Sequence, residues 1–379
     1  MRKHCLITIF TTLGFLISLR AQITVTSTTF PALGDTLHFA FDTSPTVNVF
    51  TPPGGNQTWD FSSLRADFAQ QLIFQDPAAG TAQANFPSAT LLYLNGTIEN
   101  YLSVTNQAVT LLGYYGADPI GIGFNVAALY NPPIVEFRAP INFFDINQIS
   151  SGLLLPASVS DLPGAIVNQL PVRPDSVRIR IAINRLDVVD AWGDVTIPGG
   201  TYPVLREKRT QYRETRLDAK VPPLGWLDIT DVAIQSLGLT TLGVDTTVTY
   251  NFYNNVSKEP IAIVTLANDQ ATPVLVQYKS NALTTDVRQL EQENLEFSAF
   301  PNPAFGNMNL LFNNINPGRY ALKIYNSLGA EVWRKSYQIT GNQFNIEVDI
   351  SQLETGTYFC RWLDNRGVTL AAKQVIVIK

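Results

Sequence analysis

Histidine and cysteine are almost missing from this 379-residue chain: it has two of each, and His4 and Cys5 fall within its first five residues. If those residues belong to a removable leader, His38 and Cys360 stand alone. A single cysteine forms no intramolecular disulfide, and one histidine with one cysteine supplies neither a multi-ligand zinc site nor an iron–sulfur cluster. A lone histidine also leaves little material for general acid–base catalysis. His38 sits between Leu37 and Phe39 and faces away from their side of a strand, and no Gly-x-Ser-x-Gly elbow accompanies it. Calcium loops of the Asp-x-Asp-x-Asp-Gly kind are absent, so no metal and no cofactor are expected. Charge is sparse, at 15% of residues. Long apolar spans are missing too, because the uncharged runs Pro77 to Ile98 and Pro119 to Val135 are interrupted by Gly, Pro and Asn. No transmembrane segment is expected after the leader.

The leader has three parts. Met1-Arg2-Lys3-His4 is basic, Cys5 to Leu19 is an uncharged stretch of Leu, Ile, Phe and Thr, and Arg20-Ala21-Gln22 offers a small residue at the cleavage position. This reads as a Sec signal peptide over residues 1–21, cut between Ala21 and Gln22. Cleavage would remove three cations and no acid, leaving 23 basic against 31 acidic residues. A net acidic surface argues against nucleic acid as a partner.

Nearly every later segment alternates apolar and polar residues between Gly, Pro, Asn or Asp, which predicts an all-β protein. Thr36 to Phe41 puts Leu37, Phe39 and Phe41 on one face. Asn95-Gly96 predicts a tight hairpin between Leu91–Leu94 and Thr97–Val104. Val177, Ile179, Ile181 and Ile183 form an apolar stripe, and Pro198-Gly199-Gly200 turns the chain into Thr201 to Tyr212. The best helical spacing runs from Ser158 to Leu170 with Pro163 inside it. Residues 22–280 read as a large antiparallel β domain, in one or two sheets or sandwiches, with an internal boundary near 171–174 as an alternative. Residues 281–296 are polar and read as a linker. Residues 297–379 hold about seven short strands, the spacing of an immunoglobulin-like sandwich.

The last region carries motifs. Phe300-Pro301-Asn302-Pro303 opens it, Asn326-Ser327-Leu328-Gly329 closes a turn, Leu353-Glu354-Thr355-Gly356-Thr357-Tyr358 enters a strand, and Lys373 begins the final run Lys373-Gln374-Val375-Ile376-Val377-Ile378-Lys379. In this order, over roughly the last 85 residues, they resemble the type A C-terminal sorting domain of the type IX (Por) secretion system of Bacteroidota. Phe300, where that family usually has Tyr, and Cys360 are minor departures. The resemblance implies a secreted or cell-surface protein that passes the Sec translocase. The type IX outer-membrane translocon would then read the tail, and its C-terminal-signal peptidase would remove it. Pro301, Asn302, Pro303, Gly329, Leu353, Gly356, Tyr358 and Lys373 would belong to the sorting motif. The segment from Asp190-Ala191-Trp192-Gly193-Asp194 to Arg206 is similar to one that recurs in cargo regions ahead of such tails, with no activity attached.

Chemistry in residues 22–280 is thin. Paired carboxylates near an aromatic residue are the catalytic candidates: Asp190 and Asp194 around Trp192, and Asp228 and Asp231 after Trp226. The one basic stretch is Arg206, Lys208, Arg209, Arg213 and Arg216, with Glu207 and Glu214. Arg178, Arg180, Arg185, Asp187 and Asp190 lie opposite it in the hairpin. Cross-strand ion pairing on a solvent face is the expectation here, with an anionic-glycan site as the sharper alternative. Three functions follow for the exported domain. The favoured one is a non-enzymatic glycan- or protein-binding or structural β domain; the alternatives are a glycan-active hydrolase using two carboxylates and, third, a β domain binding an apolar ligand inside a curved sheet.

Overall fold

The computed structural model describes residues 22–120, 124–162, 174–237, 239, 241–280, 296–313, 315–326, 331–353, 356–364 and 369–378. The leader, most of the linker and most of the expected 158–170 helix lie outside them. Where that helix was expected to begin, Val159–Asp161 forms one 3₁₀ turn capped by Ser158. Strand makes up 64% of the structure and helix 6%, so the protein is all-β.

Residues 22–280 form one fourteen-stranded sheet. Its strands are β1 (Thr36–Asp42), β2 (Gly54–Asp60), β3 (Phe68–Gln75), β4 (Leu91–Asn95), β5 (Ile98–Val104), β6 (Ala108–Ala117), β7 (Asn125–Arg138) and β8 (Ile146–Ser158), then β9 (Ser176–Ile197), β10 (Gly200–Val221), β11 (Gly225–Asp228), β12 (Gly243–Tyr253), β13 (Ala262–Leu266) and β14 (Pro273–Lys279). One α-helix among the described residues, α1 (Thr230–Leu237), follows β11. The hydrogen-bonded order is β2-β9-β10-β12-β13-β14-β1-β3-β4-β5-β6-β7, with β8 also on β9 and β11 also on β10. The expected hairpin forms one residue later along the chain: Asn95 pairs with Ile98, so Gly96 and Thr97 are the two turn residues, with Gly96 at φ 61°.

The spine is the β9–β10 ribbon, two 22-residue strands paired along their whole length. At about 3.3 Å per residue each strand is on the order of 70 Å long, far longer than an ordinary strand, so each serves two neighbours. The first half of β9 pairs with β8 and the second half runs parallel to β2. β8 and β9 flank residues 171–174 and pair along their length, so the chain on both sides of that point shares one sheet. Gly193 is required at the β2 contact, since a Cβ there would lie 1.9 Å from the Gln57 carbonyl oxygen.

A bulge decides which way the ribbon faces. Arg206 pairs with Ala191 and Glu207 with Val189, leaving Asp190 as the extra residue. An inserted residue reverses inside and outside along the rest of a strand. Below it, Val177, Ile179, Ile181 and Ile183 enter a core shared with β7, β8 and α1. Above it, Ala191, Val195 and Ile197 enter a different core with Trp59, Phe61 and Phe252. β7 comes alongside β8, where the Ser151 hydroxyl donates to the Pro132 carbonyl at 2.6 Å. The sheet thereby curls over its own inner face without closing into a barrel.

The C-terminal part is a separate seven-stranded sheet: β15 (Glu296–Phe305), β16 (Asn307–Asn313), β17 (Gly318–Asn326), β18 (Glu331–Ile339), β19 (Gln343–Asp349), β20 (Gly356–Asp364) and β21 (Thr369–Ile378), in the order β18-β17-β20-β21-β15-β16-β19. Its core is aromatic. Trp362 is fully buried, with the Phe312 ring at 4.2 Å and the Tyr320 ring at 5.4 Å between centroids. Among the described residues no apolar cluster is shared between the two parts. Arg361 of β20 reaches across instead, 3.3 Å from Asp67 and donating to the Thr43 hydroxyl at 2.6 Å.

Candidate functional site

The curled inner face of the ribbon changes character along its length. Its apolar stripe on β9 gives way to Arg185 and Asp187, both buried, and β10 contributes Glu207, Arg209, Gln211 and Arg213 to the same side. Solvent-face ion pairing, expected for this stretch, is therefore corrected at its middle. Pairing on the outer face holds for Arg178 and Arg180 with Asp218, and for Arg216 with Glu214 and Asp228. The Asp190 bulge and the cover supplied by β7 put the central charges indoors.

Those inner charges form one network. Arg185 lies 3.1 Å from Glu136 and 3.2 Å from Asp187. Arg209 lies 3.3 Å from Glu136, 3.1 Å from Asp187 and 3.2 Å from Glu207. Arg185 and Arg209 also donate to the Val135 and Glu136 carbonyls of β7. Burial pushes the Glu207 carboxyl up, against the pull of Arg209 and with Asp187 adding to the rise. The Glu207 oxygen accepts from the Asn251 amide at 3.0 Å and the Tyr253 hydroxyl at 3.4 Å. Burying so many charges costs stability unless their partners are well placed, and here they tie the ribbon to β7 at a fixed separation.

Beside the network lies a cavity of about 390 Å³. It is lined by Ile181 and Ile183 of β9, Leu153 of β8, Tyr114 of β6, and Tyr130 and Ile134 of β7, with Asp118, Glu136, Gln211 and Arg213 as its charged and amide groups. Burial raises both phenols above the ordinary tyrosine range, with the charge of Arg213 opposing the rise at each. They are hydrogen-bond donors at any physiological pH. The Arg213 Nε is buried and has no hydrogen-bond partner. Among the described residues no group of three or more His, Cys, Asp or Glu is placed to hold a metal ion.

The four candidate aspartates are not brought together. Asp190, the bulge residue, is held by Arg206 in a two-pronged pair at 2.8 and 3.0 Å. The same Arg206 fastens Val49 and Thr51 and stacks over Trp59 and Tyr250. Asp194 lies beyond the bulge, beside Trp192 and Ile23 at a hollow of about 20 Å³. Asp228 sits on the outer face. Burial opposes its ionisation, but Thr230 and Arg216 outweigh that and hold its carboxyl below the usual range. Asp231 is exposed in the first turn of α1. A glycosidase acid must stay protonated at working pH, and Asp228 is held in the opposite state.

Of the sorting motif, Pro301, Asn302 and Pro303 lie in β15. Leu353 and Tyr358 are buried in the aromatic core. Gly356 stands opposite Val377, and Lys373 opposite Cys360. Burial raises the Cys360 thiol to about 12, so it is an inert core group. Gly329 and Ala21 lie outside the described residues, and Gln22 is exposed at their start. Sequence reading passed over Tyr114, Tyr130 and Glu136. The available signal was Glu136 itself, the one charge that ends the uncharged run 119–135.

Residues 298–378 match the family described as the secretion system C-terminal sorting domain. No curated protein matches the chain. A solved structure from a study of PorZ, described as an essential bacterial surface component of the type-IX secretion system of Porphyromonas gingivalis, aligns over 84% of this chain and 51% of its own, at 8% identity and a TM-score of 0.17. This chain thus spans about half the length of that protein, and so loose an overlap carries no argument about fold or function. The tail is another matter: the C-terminal domain is a type IX sorting domain, and the protein is exported to the cell surface or secreted. No described helix is long and apolar enough to cross a membrane.

Proposed function

We propose that this is a Bacteroidota protein with a type A sorting tail, which enters the periplasm through Sec and loses residues 1–21 there. The type IX translocon then carries it out, and the sorting-signal peptidase removes residues 297–379. Residues 22–280 would act outside the cell as a non-enzymatic domain that encloses a small ligand within its curved sheet. The carrying observation is the 390 Å³ cavity. Its size lies in the ordinary range for small-molecule sites, and its apolar walls with a few convergent polar groups are the usual composition. The arginine pairing of Asp190 and Asp228 speaks against the hydrolase alternative.

Filling the cavity tests this reading. The full chain lacking only its leader should bind an environment-sensitive apolar dye such as 1-anilinonaphthalene-8-sulfonate. Leu153→Phe and Ile181→Phe, which place extra volume in the cavity, should each weaken binding at least fivefold while the thermal transition stays cooperative. Equal dye binding by wild type and both filled variants would contradict the reading.

A further inference from the structure

The arginines of the inner face divide unequally. Arg185 and Arg209 share Asp187, Glu136 and Glu207. Arg213, four residues beyond Arg209 along β10 and so on the same side, has no ion pair and no side-chain hydrogen bond among the described residues, and its Nε is shut away from water. Arg213 as a whole is half-buried, but its shielded Nε has lost its hydration without a hydrogen bond in recompense. The simplest complement is an anion that enters with the ligand. We infer that the cavity takes an amphipathic monocarboxylate, its carboxylate on the Arg213 guanidinium and its apolar body along Ile181, Ile183 and Leu153. This rests on the reading of the cavity as a ligand site.

Three features sharpen the chemical class. A guanidinium presents paired N–H donors that match a carboxylate in a two-pronged fit. Tyr114 and Tyr130 line the same cavity and stay protonated, so their hydroxyls can donate to the same anion. The cavity's own carboxylates are already engaged: Glu136 faces Arg185 and Arg209, and Asp118 accepts the Ile120 and Phe124 amides at 3.1 and 3.3 Å. Those two negative charges repel a second charge on the ligand, which favours a monoanion over a phosphate dianion. No bond to the ligand is made or broken.

The test is a matched comparison on the leaderless full chain by calorimetric titration with decanoate, decanol, decyl phosphate and 4-phenylbutyrate. Wild type should bind decanoate at least tenfold more tightly than decanol and more tightly than decyl phosphate. Arg213→Met should erase the preference for the acid while changing decanol binding by less than twofold. Tyr114→Phe and Tyr130→Phe should each weaken decanoate severalfold, a readout that stands should Arg213→Met not fold. Tighter binding of 4-phenylbutyrate than of decanoate would support the monocarboxylate class with an aromatic body. Equal binding of acid and alcohol by wild type overturns this inference and leaves the cavity reading intact. Acid preference that survives in Arg213→Met overturns the anchor. Failure of every compound to bind wild type overturns the cavity reading itself.

Discussion

The two parts of the molecule are built from similar strands but differ in what they bury. The sorting domain packs Phe312, Tyr320 and Trp362 with aliphatic side chains, and none of the charged residues whose burial is described lies buried there. The exported domain buries Asp42, Glu99, Asp118, Arg185, Asp187, Arg206, Glu207 and Asp218. An apolar core is enough for a domain whose task is to present a folded surface to a translocon. Buried charge is expensive, and replacing it with apolar residues is often neutral or stabilising. Beside the cavity Arg185, Asp187 and Glu207 belong to the network that fixes strand separation, and among the described residues Arg213 is left facing the cavity without an ion pair.

The largest break in this comparison comes from removing one partner altogether. Deleting residues 297–379 should abolish passage across the outer membrane and leave a folded protein in the periplasm, read by cell fractionation and near-ultraviolet circular dichroism. Appearance of the truncated protein in the medium would show that the tail is dispensable. Next come losses confined to one core. Trp362→Ala should cost the sorting domain about 3–5 kcal/mol, and Asp187→Ala should cost the exported domain about 3 kcal/mol or less, because Arg185 and Arg209 lose a shared buried carboxylate but keep Glu136. Because no apolar cluster joins the parts, calorimetry should show each variant lowering one transition and leaving the other in place. A common shift of both would contradict their independence.

Acid should separate the two parts more gently. Burial opposes ionisation of Glu99, but bonds from Thr81 and Tyr101 and the Thr81 and Ala82 amides outweigh it, and its carboxyl is held below the usual glutamate range. Burial is likewise outweighed at Asp218 by Arg180 and Arg178. A depressed carboxylate stabilises the fold above its unfolded pKa, and that contribution is lost as pH falls through the folded value. Glu207, raised by burial, acts with the opposite sign. Such depressed carboxylates, Asp228 among them, outnumber Glu207, so the exported domain's thermal midpoint should decline as pH drops below about 4, and Glu99→Gln should flatten part of the decline. The smallest effect belongs to the bridge between the parts. Arg361→Ala removes the pair with Asp67 at a partly exposed site and should change stability by about 1 kcal/mol or less.

Much of the fold was legible in residue pattern. The strand from Thr36, the hairpin at Gly96 to within one residue, and the Val177 to Ile183 stripe all follow from period-2 alternation and turn chemistry, because those are local rules. The inner site was not legible, because it depends on one unpaired residue. Without the bulge at Asp190, the odd-numbered apolar residues of β9 would all face one side, and the charges around Arg206 could be read as a wet surface. Asp190 and Asp194, close in sequence, part company for the same reason. Tyr114, Tyr130 and Glu136 reach the site only because β7 curls back beside β8, a long-range contact with no local signature. The sorting tail lies at the other extreme, since its motifs are short, ordered and terminal.

If Arg213 holds the acid end of a ligand, carbon NMR of decanoate labelled with ¹³C at its carboxyl reads that contact directly. On the leaderless protein, one bound carboxyl resonance should titrate at lower pH than free decanoate, because a neighbouring guanidinium favours the ionised form. In Arg213→Met the displacement should vanish. A bound carboxyl that titrates at or above the free acid's value, or whose displacement persists without Arg213, would contradict the account.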